Sequence, residues 1–211
     1  EVPSSIRIEV RGEFESHVSA KDLILYIIGK LSSEGASFRV IEFHGDTVRQ
    51  MPTSGRLVLC NMAVEAGATS GIVPPDQETA AYLRQEAGVQ DSIPLLKPDA
   101  DAVYAQTVEV DASTLSPQLA CPHAVDNVVP VMEREGTRID QIVIGSCTNG
   151  RYDDVASAAA ILKGKTVSPR VRVLVFPASW RIYRRLLREG ILADLSESGA
   201  VIMNPGCGCC L

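Results

Sequence analysis

The stretch QIVIGSCTNGR, residues 141–151, decides how the chain is read. Residues 141–145 form a short apolar run ending in a small-residue turn, the pattern of a strand. A helix must follow, with an apolar face from Val155, Ala158, Ala159, Ile161 and Leu162 and its end at Gly164. Residues 172–176 then read as the next strand, 180–188 as a helix and 199–202 as another strand. Strands separated by helices favour parallel pairing with helices on both faces. In such sheets ligands sit at the carboxyl ends of strands. The loops 146–150 and 204–211 should therefore share one edge, although Cys147 and Cys207 are 60 residues apart.

The first half has the same layout. Residues 5–10 alternate as a strand, a helix opens at Ala20-Lys21-Asp22 and runs apolar to Leu31, and 38–43 is a second strand. Gly45-Asp46 makes a turn, 57–66 reads as a mostly buried helix, 69–73 as a short strand and 76–86 as a helix. The polar stretch 90–101 is taken as a junction between two α/β domains, 1–100 and 101–211.

At 211 residues and 22.6 kDa, with 45% hydrophobic and 22% charged residues, the chain is an ordinary globular protein with a real core. Its net charge of -6 and the lack of any basic run argue against nucleic-acid binding. No apolar run approaches the roughly 20 residues of a membrane helix, and no signal peptide is visible, so the cytoplasm is the expected compartment. The start at Glu1 and the end at Leu211 suggest a fragment.

Of six cysteines, Cys147, Cys207, Cys209 and Cys210 fall on the two loops brought together by the parallel layout. Without a secretion signal, metal or redox chemistry is favoured over a disulfide framework. Cys207-Gly208-Cys209-Cys210 can turn two sulfurs toward one centre, and Cys147 can supply a third. Three thiolates suit a structural zinc site poorly, because such sites close with a fourth ligand at short spacing. They suit an iron-sulfur cubane with one iron left free as a Lewis acid. Cys209 could be a fourth ligand, a bystander or a resolving thiol. Cys60 inside an apolar helix and Cys121 before a proline read as small buried hydrophobes.

The segments Ile144 to Arg151 and Pro205 to Leu211 resemble the aconitase superfamily and, within it, the 3-isopropylmalate dehydratase large subunits. Supporting stretches are Glu42-Phe43-His44-Gly45, the N-M-x-x-E-x-G-A run at 61–68, and Pro122-His123-Ala124-Val125-Asp126-Asn127. The resemblance runs along the whole chain and implies aconitase-like three-layer αβα domains with mostly parallel sheets. It implies a [4Fe-4S] cluster held by Cys147, Cys207 and Cys210, whose free iron coordinates the substrate hydroxyl and a carboxylate. The implied reaction is an isomerising dehydration, 3-isopropylmalate to 2-isopropylmalate in leucine biosynthesis, with homoaconitase or aconitase-type activity as the alternative. The resemblance also places Asn61 and Glu65 near the labile iron. Their i and i+4 spacing would set both on one face of a helix.

Other polar residues read more plainly. His44 beside Glu42 suits a strand-end histidine satisfied by hydrogen bonds. His123 and Asp126 match the family pattern without an assignable role. Arg181, Arg184, Arg185 and Arg188 suit a solvated helix face better than a surface that attracts an anionic substrate, and Asn149 suits either a hydrogen bond to a sulfide or a turn, the turn being sufficient. Family large subunits extend beyond both ends of this sequence and work with a small, swivelling-domain subunit on 2-hydroxy di- or tricarboxylates. The resemblance therefore implies that this chain alone is inactive. A metal- or redox-responsive binding fragment, or a zinc-stabilised one, is the competing reading.

Overall fold

The computed structural model describes residues 2–208, so Cys209 and Cys210 lie outside the described residues. The chain divides into two compact units, Glu1–Glu135 and Gly136–Leu211. Each is α/β with a parallel main sheet, as expected. The described residues contain no helix long and apolar enough to cross a membrane.

The first unit is built on β1 (Ser5–Arg11), α1 (Ala20–Leu31), β2 (Val40–His44), α2 (Asp46–Gln50), α3 (Thr53–Met62), β3 (Ser70–Ile72), α4 (Gln77–Ala87) and β4 (Gln106–Asp111). An antiparallel pair, β5 (Gln118–Ala120) and β6 (Val128–Pro130), completes it. The four-stranded sheet has the order β3-β2-β1-β4, with every pair parallel. Alternation on β1 sends Ile6, Ile8 and Val10 into the core, where they meet Leu23, Ile24, Ile27 and Ile28 of α1 and Leu59 of α3. α1 starts where it does because Ser19 and Asp22 form a reciprocal capping box.

The junction expected at 100/101 is not where the units divide. β4 pairs with β1 along Ile6↔Gln106 to Arg11↔Asp111, which carries the first unit on to Glu135. The polar stretch preceding β4 is the crossover that returns the chain to this sheet. It passes over the second face, where Arg7, Glu9, Glu42 and His44 point. Tyr104 Oη donates to Glu42 Oε2 at 3.2 Å, and the Arg7 guanidinium lies 5.5 Å from the Tyr104 ring centre. This face of the first sheet carries a polar network reached by Tyr104 of the crossover. The strand expected from residue 38 begins at Val40 instead, because Phe38 takes a positive φ in a turn and is exposed.

The second unit contains β7 (Gln141–Gly145), α5 (Ser146–Asn149), α6 (Tyr152–Leu162), β8 (Arg172–Phe176), α7 (Trp180–Arg188), α8 (Ile191–Glu197) and β9 (Val201–Ile202). Its sheet runs β7-β8-β9, all parallel. Its core gathers Val155 and Ala159 of α6, Val173 and Val175 of β8, Leu186 of α7, and Leu192 and Leu195 of α8. Ser179 caps α7 by accepting from the Ile182 amide.

Candidate functional site

In the second unit β7 and β9 flank β8 in parallel, so the loops after β7 and β9 leave from one edge, as the strand order required. At normal strand spacing the two loop origins are about 10 Å apart. Residues around Cys147 are shaped by backbone constraints. Gly145 has φ +112°, and a Cβ there would stand 2.1 Å from the Phe176 carbonyl oxygen; one on Gly150 would stand 2.3 Å from the same atom. The chain is thus wrapped around the end of β8 at two points where only glycine fits. The Gly150 amide donates to Ser146 O at 2.9 Å and the Ala178 amide to Gly150 O at 2.7 Å, closing the loop onto the neighbouring strand. Ser146 takes φ +71°, a conformation that costs of order 1–3 kcal/mol and persists only where its surroundings hold it.

This wrapping presents Cys147 on the single turn of α5, exposed, with Sγ 3.8 Å from Thr148 Oγ1. Beyond β9, Met203 N donates to Val175 O at 2.8 Å, extending the pairing toward Cys207, which is also exposed. Asp154 ties the loop to α6 by accepting from the Arg151 amide at 3.1 Å and from Asn149 Nδ2 at 3.2 Å. Burial pushes the Asp154 carboxyl up, and these two bonds offset part of the shift. Asn149 therefore holds the turn, as read from sequence. Two buried polar atoms of the loop, Asn149 Oδ1 and Arg151 Nε, have no hydrogen-bond partner among the described residues.

The donor set suits a thiophilic metal centre. Two exposed thiols stand on one sheet edge, beside a buried acceptor and a buried donor with unused capacity. No group of three His, Cys, Asp or Glu side chains able to hold a metal is found among the described residues. The expected third ligand, Cys210, lies outside them.

In the first unit, the helix expected over 57–66 is divided. α3 ends at Met62, and Ala63–Ala66 tightens into a 3-10 turn before Gly67 at φ +81°. Asn61 is in the last turn of α3 and Glu65 is in the 3-10 turn; both are exposed. The α-helical i and i+4 relation read between them does not hold, because the 3-10 turn takes three residues rather than 3.6. The tightening belongs to the helix end, where Gly67 N donates to Val64 O and Ala68 N to Ala63 O.

This turn lies at the amino edge of the first sheet. Ala36 N donates to Ala66 O at 2.9 Å, and Thr69 N to Arg39 O at 2.8 Å just before β2 begins. Asp126 reaches the same place: its Oδ2 accepts from the Ser33 amide at 2.8 Å, and a Cβ on Gly67 would stand 3.0 Å from Ser33 O. That bond holds the Asp126 carboxyl below its ordinary value. The structure thus joins the 61–68 and 122–127 stretches, which sequence alone left unrelated. His123 is exposed nearby in the chain.

The remaining groups behave as structural residues. His44 Nε2 lies 3.3 Å from Glu42 Oε2 and its ring meets Tyr104 edge-on. Cys60 is half-buried, with its thiol pushed up by burial. Cys121 is buried, and Arg134 Nε donates to its sulfur at 3.2 Å. The α7 arginines are exposed, and Arg185 pairs with Glu189 and stacks on Tyr152.

The model of the aconitase family (aconitate hydratase) matches residues 1–137 and 132–211. The probable 3-isopropylmalate dehydratase large subunit of Methanothermobacter thermautotrophicus is 51% identical over 210 residues, covering 100% of this chain and 50% of its own length. The 3-isopropylmalate dehydratase large subunit 1 of Methanopyrus kandleri is 48% identical with the same coverages. A probable methanogen homoaconitase large subunit of M. thermautotrophicus is also 48% identical, over 100% of this chain and 49% of its own. The chain spans about half the length of the curated relatives it matches. With the family pattern matched from residue 1 to residue 211, the chain belongs to the aconitase family.

Proposed function

We propose that this chain is the cluster-holding part of a [4Fe-4S] hydro-lyase that interconverts 3-isopropylmalate and 2-isopropylmalate, a step of leucine biosynthesis in the cytoplasm. The observation that carries the reading is the pair of exposed thiols, Cys147 and Cys207, on one parallel-sheet edge in an aconitase-family chain. Identity to relatives named 3-isopropylmalate dehydratase supports the substrate. Homoaconitase is the alternative, favoured by a relative of nearly equal identity. Because relatives are named large subunits, the working enzyme pairs this chain with a small subunit.

In this proposal Cys147, Cys207 and Cys210 hold the cluster as thiolates, Arg151 Nε donates to a sulfur there, and Asn149 Oδ1 accepts from a water or a substrate hydroxyl. When bound, the cluster supplies a Lewis-acidic iron that weakens the substrate C–O bond. Glu65 hydrogen-bonds the hydroxyl as it leaves, while the proton on the neighbouring carbon goes to a base supplied by the small subunit. Asn61 orients the substrate or supports the cluster. The Asp126–Ser33 bond keeps the turn bearing Glu65 in place.

The test uses the full-length protein with its small subunit, reconstituted anaerobically. About four iron and four sulfide per chain are expected, with dehydration of 2-isopropylmalate faster than that of homocitrate or citrate. Glu65→Gln should keep the iron and lower turnover by about 10²-fold or more. Preference for homocitrate would select the alternative, and zinc without sulfide would overturn the proposal.

A further inference from the structure

The carboxyl ends of β2 and β3 open on a cleft of about 340 Å³, the size of a small metabolite. Open parallel sheets receive ligands at this end of their strands. It is a different place from the Glu65 turn, which lies at the amino edge, the length of β2 away, roughly 16 Å. Phe43 and Val48 form a buried apolar floor, and Val73 and Pro74 continue it up the wall.

The charges around the cleft are matched with one exception. Arg56, only 3% exposed, is committed to Asp76 Oδ1 at 2.7 Å and to the carbonyls of Met51 and Arg49. Arg49 is paired with Asp46, and His44 with Glu42. Lys97, at the mouth, makes no ion pair or hydrogen bond among the described residues. It stands on the segment that crosses the polar face of the sheet. An apolar floor under a single unmatched cation recognises one negative charge attached to a short hydrocarbon.

We propose that this cleft binds a small monocarboxylate with a short hydrocarbon body, the carboxylate at Lys97 and the body against Phe43, Val48 and Val73. The chemistry does not depend on the cluster or on Glu65. The test is calorimetric titration of the full-length protein, with its small subunit and saturating 2-isopropylmalate present, using 3-methylbutanoate as the probe. Saturable binding is expected under those conditions, weakened about tenfold, the worth of one ion pair of this kind, by Lys97→Met or by replacing the probe with 3-methylbutanamide. Lys97→Glu should weaken it further, and acetate, which lacks the apolar body, should bind more weakly than 3-methylbutanoate. Lys97 is exposed and unpaired, so its variants should keep the circular dichroism and thermal midpoint of the parent. Glu65→Gln should leave probe binding unchanged, which separates this site from the proposed catalytic one. No saturable binding, or binding indifferent to both Lys97 variants, would overturn the proposal.

Discussion

Replacing Gly150 by alanine tests whether the cysteine loop is built against β8 as described. Gly150 has φ −101°, which alanine adopts without strain, so the cost is purely steric. The new Cβ would stand 2.3 Å from Phe176 O, 2.5 Å from Ser146 O and 2.8 Å from Ala178 N, all backbone atoms with no side chain to swing aside. Relief requires the loop to lift from the strand, breaking the Gly150 N–Ser146 O and Ala178 N–Gly150 O hydrogen bonds. Two such bonds at about 1 kcal/mol each, with about 1–3 kcal/mol of overpacking less what the lifting relieves, give about 2–4 kcal/mol. Urea unfolding of this chain followed by Trp180, its single tryptophan and the first residue of α7, reads the second unit directly. Gly208→Ala, which meets nothing within 4 Å, is the control and should be near neutral. Iron content of the reconstituted full-length Gly150→Ala protein should fall in step with the loop's displacement. A Gly150→Ala protein within about 0.5 kcal/mol of its parent, holding its iron, would refute the reasoning.

Further outcomes follow from other contacts. Cys147→Ser should abolish cluster assembly while Cys60→Ser leaves iron and sulfide unchanged, since Cys60 is half-buried with its thiol held protonated; the reverse pattern would sink the ligand assignment. Arg56→Met should destabilise the first unit by about 1–3 kcal/mol, because it removes the donor to the Met51 and Arg49 carbonyls and to the partly exposed Asp76, measured by hydrogen exchange in α1 and α3. Arg56 also holds the Asp76 carboxyl below its ordinary value near 3.8. Ionised Asp76 is thus favoured by folding, and its contribution is present above that value and lost as pH falls through the lower, folded one. Asp76→Asn should flatten the acid limb of the first unit's stability curve; an unchanged limb would show that the pair is not coupled to folding. Asp126→Ala should reduce turnover with little change in KM if the Ser33 turn positions Glu65, and equal turnover would remove it from that role.

Much of the fold could be read from residue patterns. The apolar alternation of β1, the run of β7 and Gly164 after α6 each left a local signature, and the elements stand close to where those signatures put them. Legibility failed where tertiary context decides. Thr107-Val108-Glu109-Val110 alternates as a strand should, but its partner β1 is 100 residues earlier, so only the long-range pairing shows which unit owns it. The extent of α3 and its 3-10 ending are set by Gly67 packing against Ser33, a contact invisible along the chain. Of the site, the shared edge of the Cys147 and Cys207 loops was legible from strand order alone. The link between Asp126 and the Glu65 turn was not, because a side-chain-to-amide bond across 93 positions leaves no spacing to find.

The strand between the two thiols has a consequence for how the protein is made. Cys147 leaves the ribosome 60 residues before Cys207, and at about 5–20 residues per second that interval lasts roughly 3–12 s. During it β8 has not yet acquired β9 as a neighbour, and the edge on which the second thiol will stand does not exist. Cys147 is therefore an accessible, solitary sulfur on every nascent chain, open to oxidants and to stray metal ions. Under the proposed ligand assignment, its partner thiol is in place only after a two-residue strand has arrived.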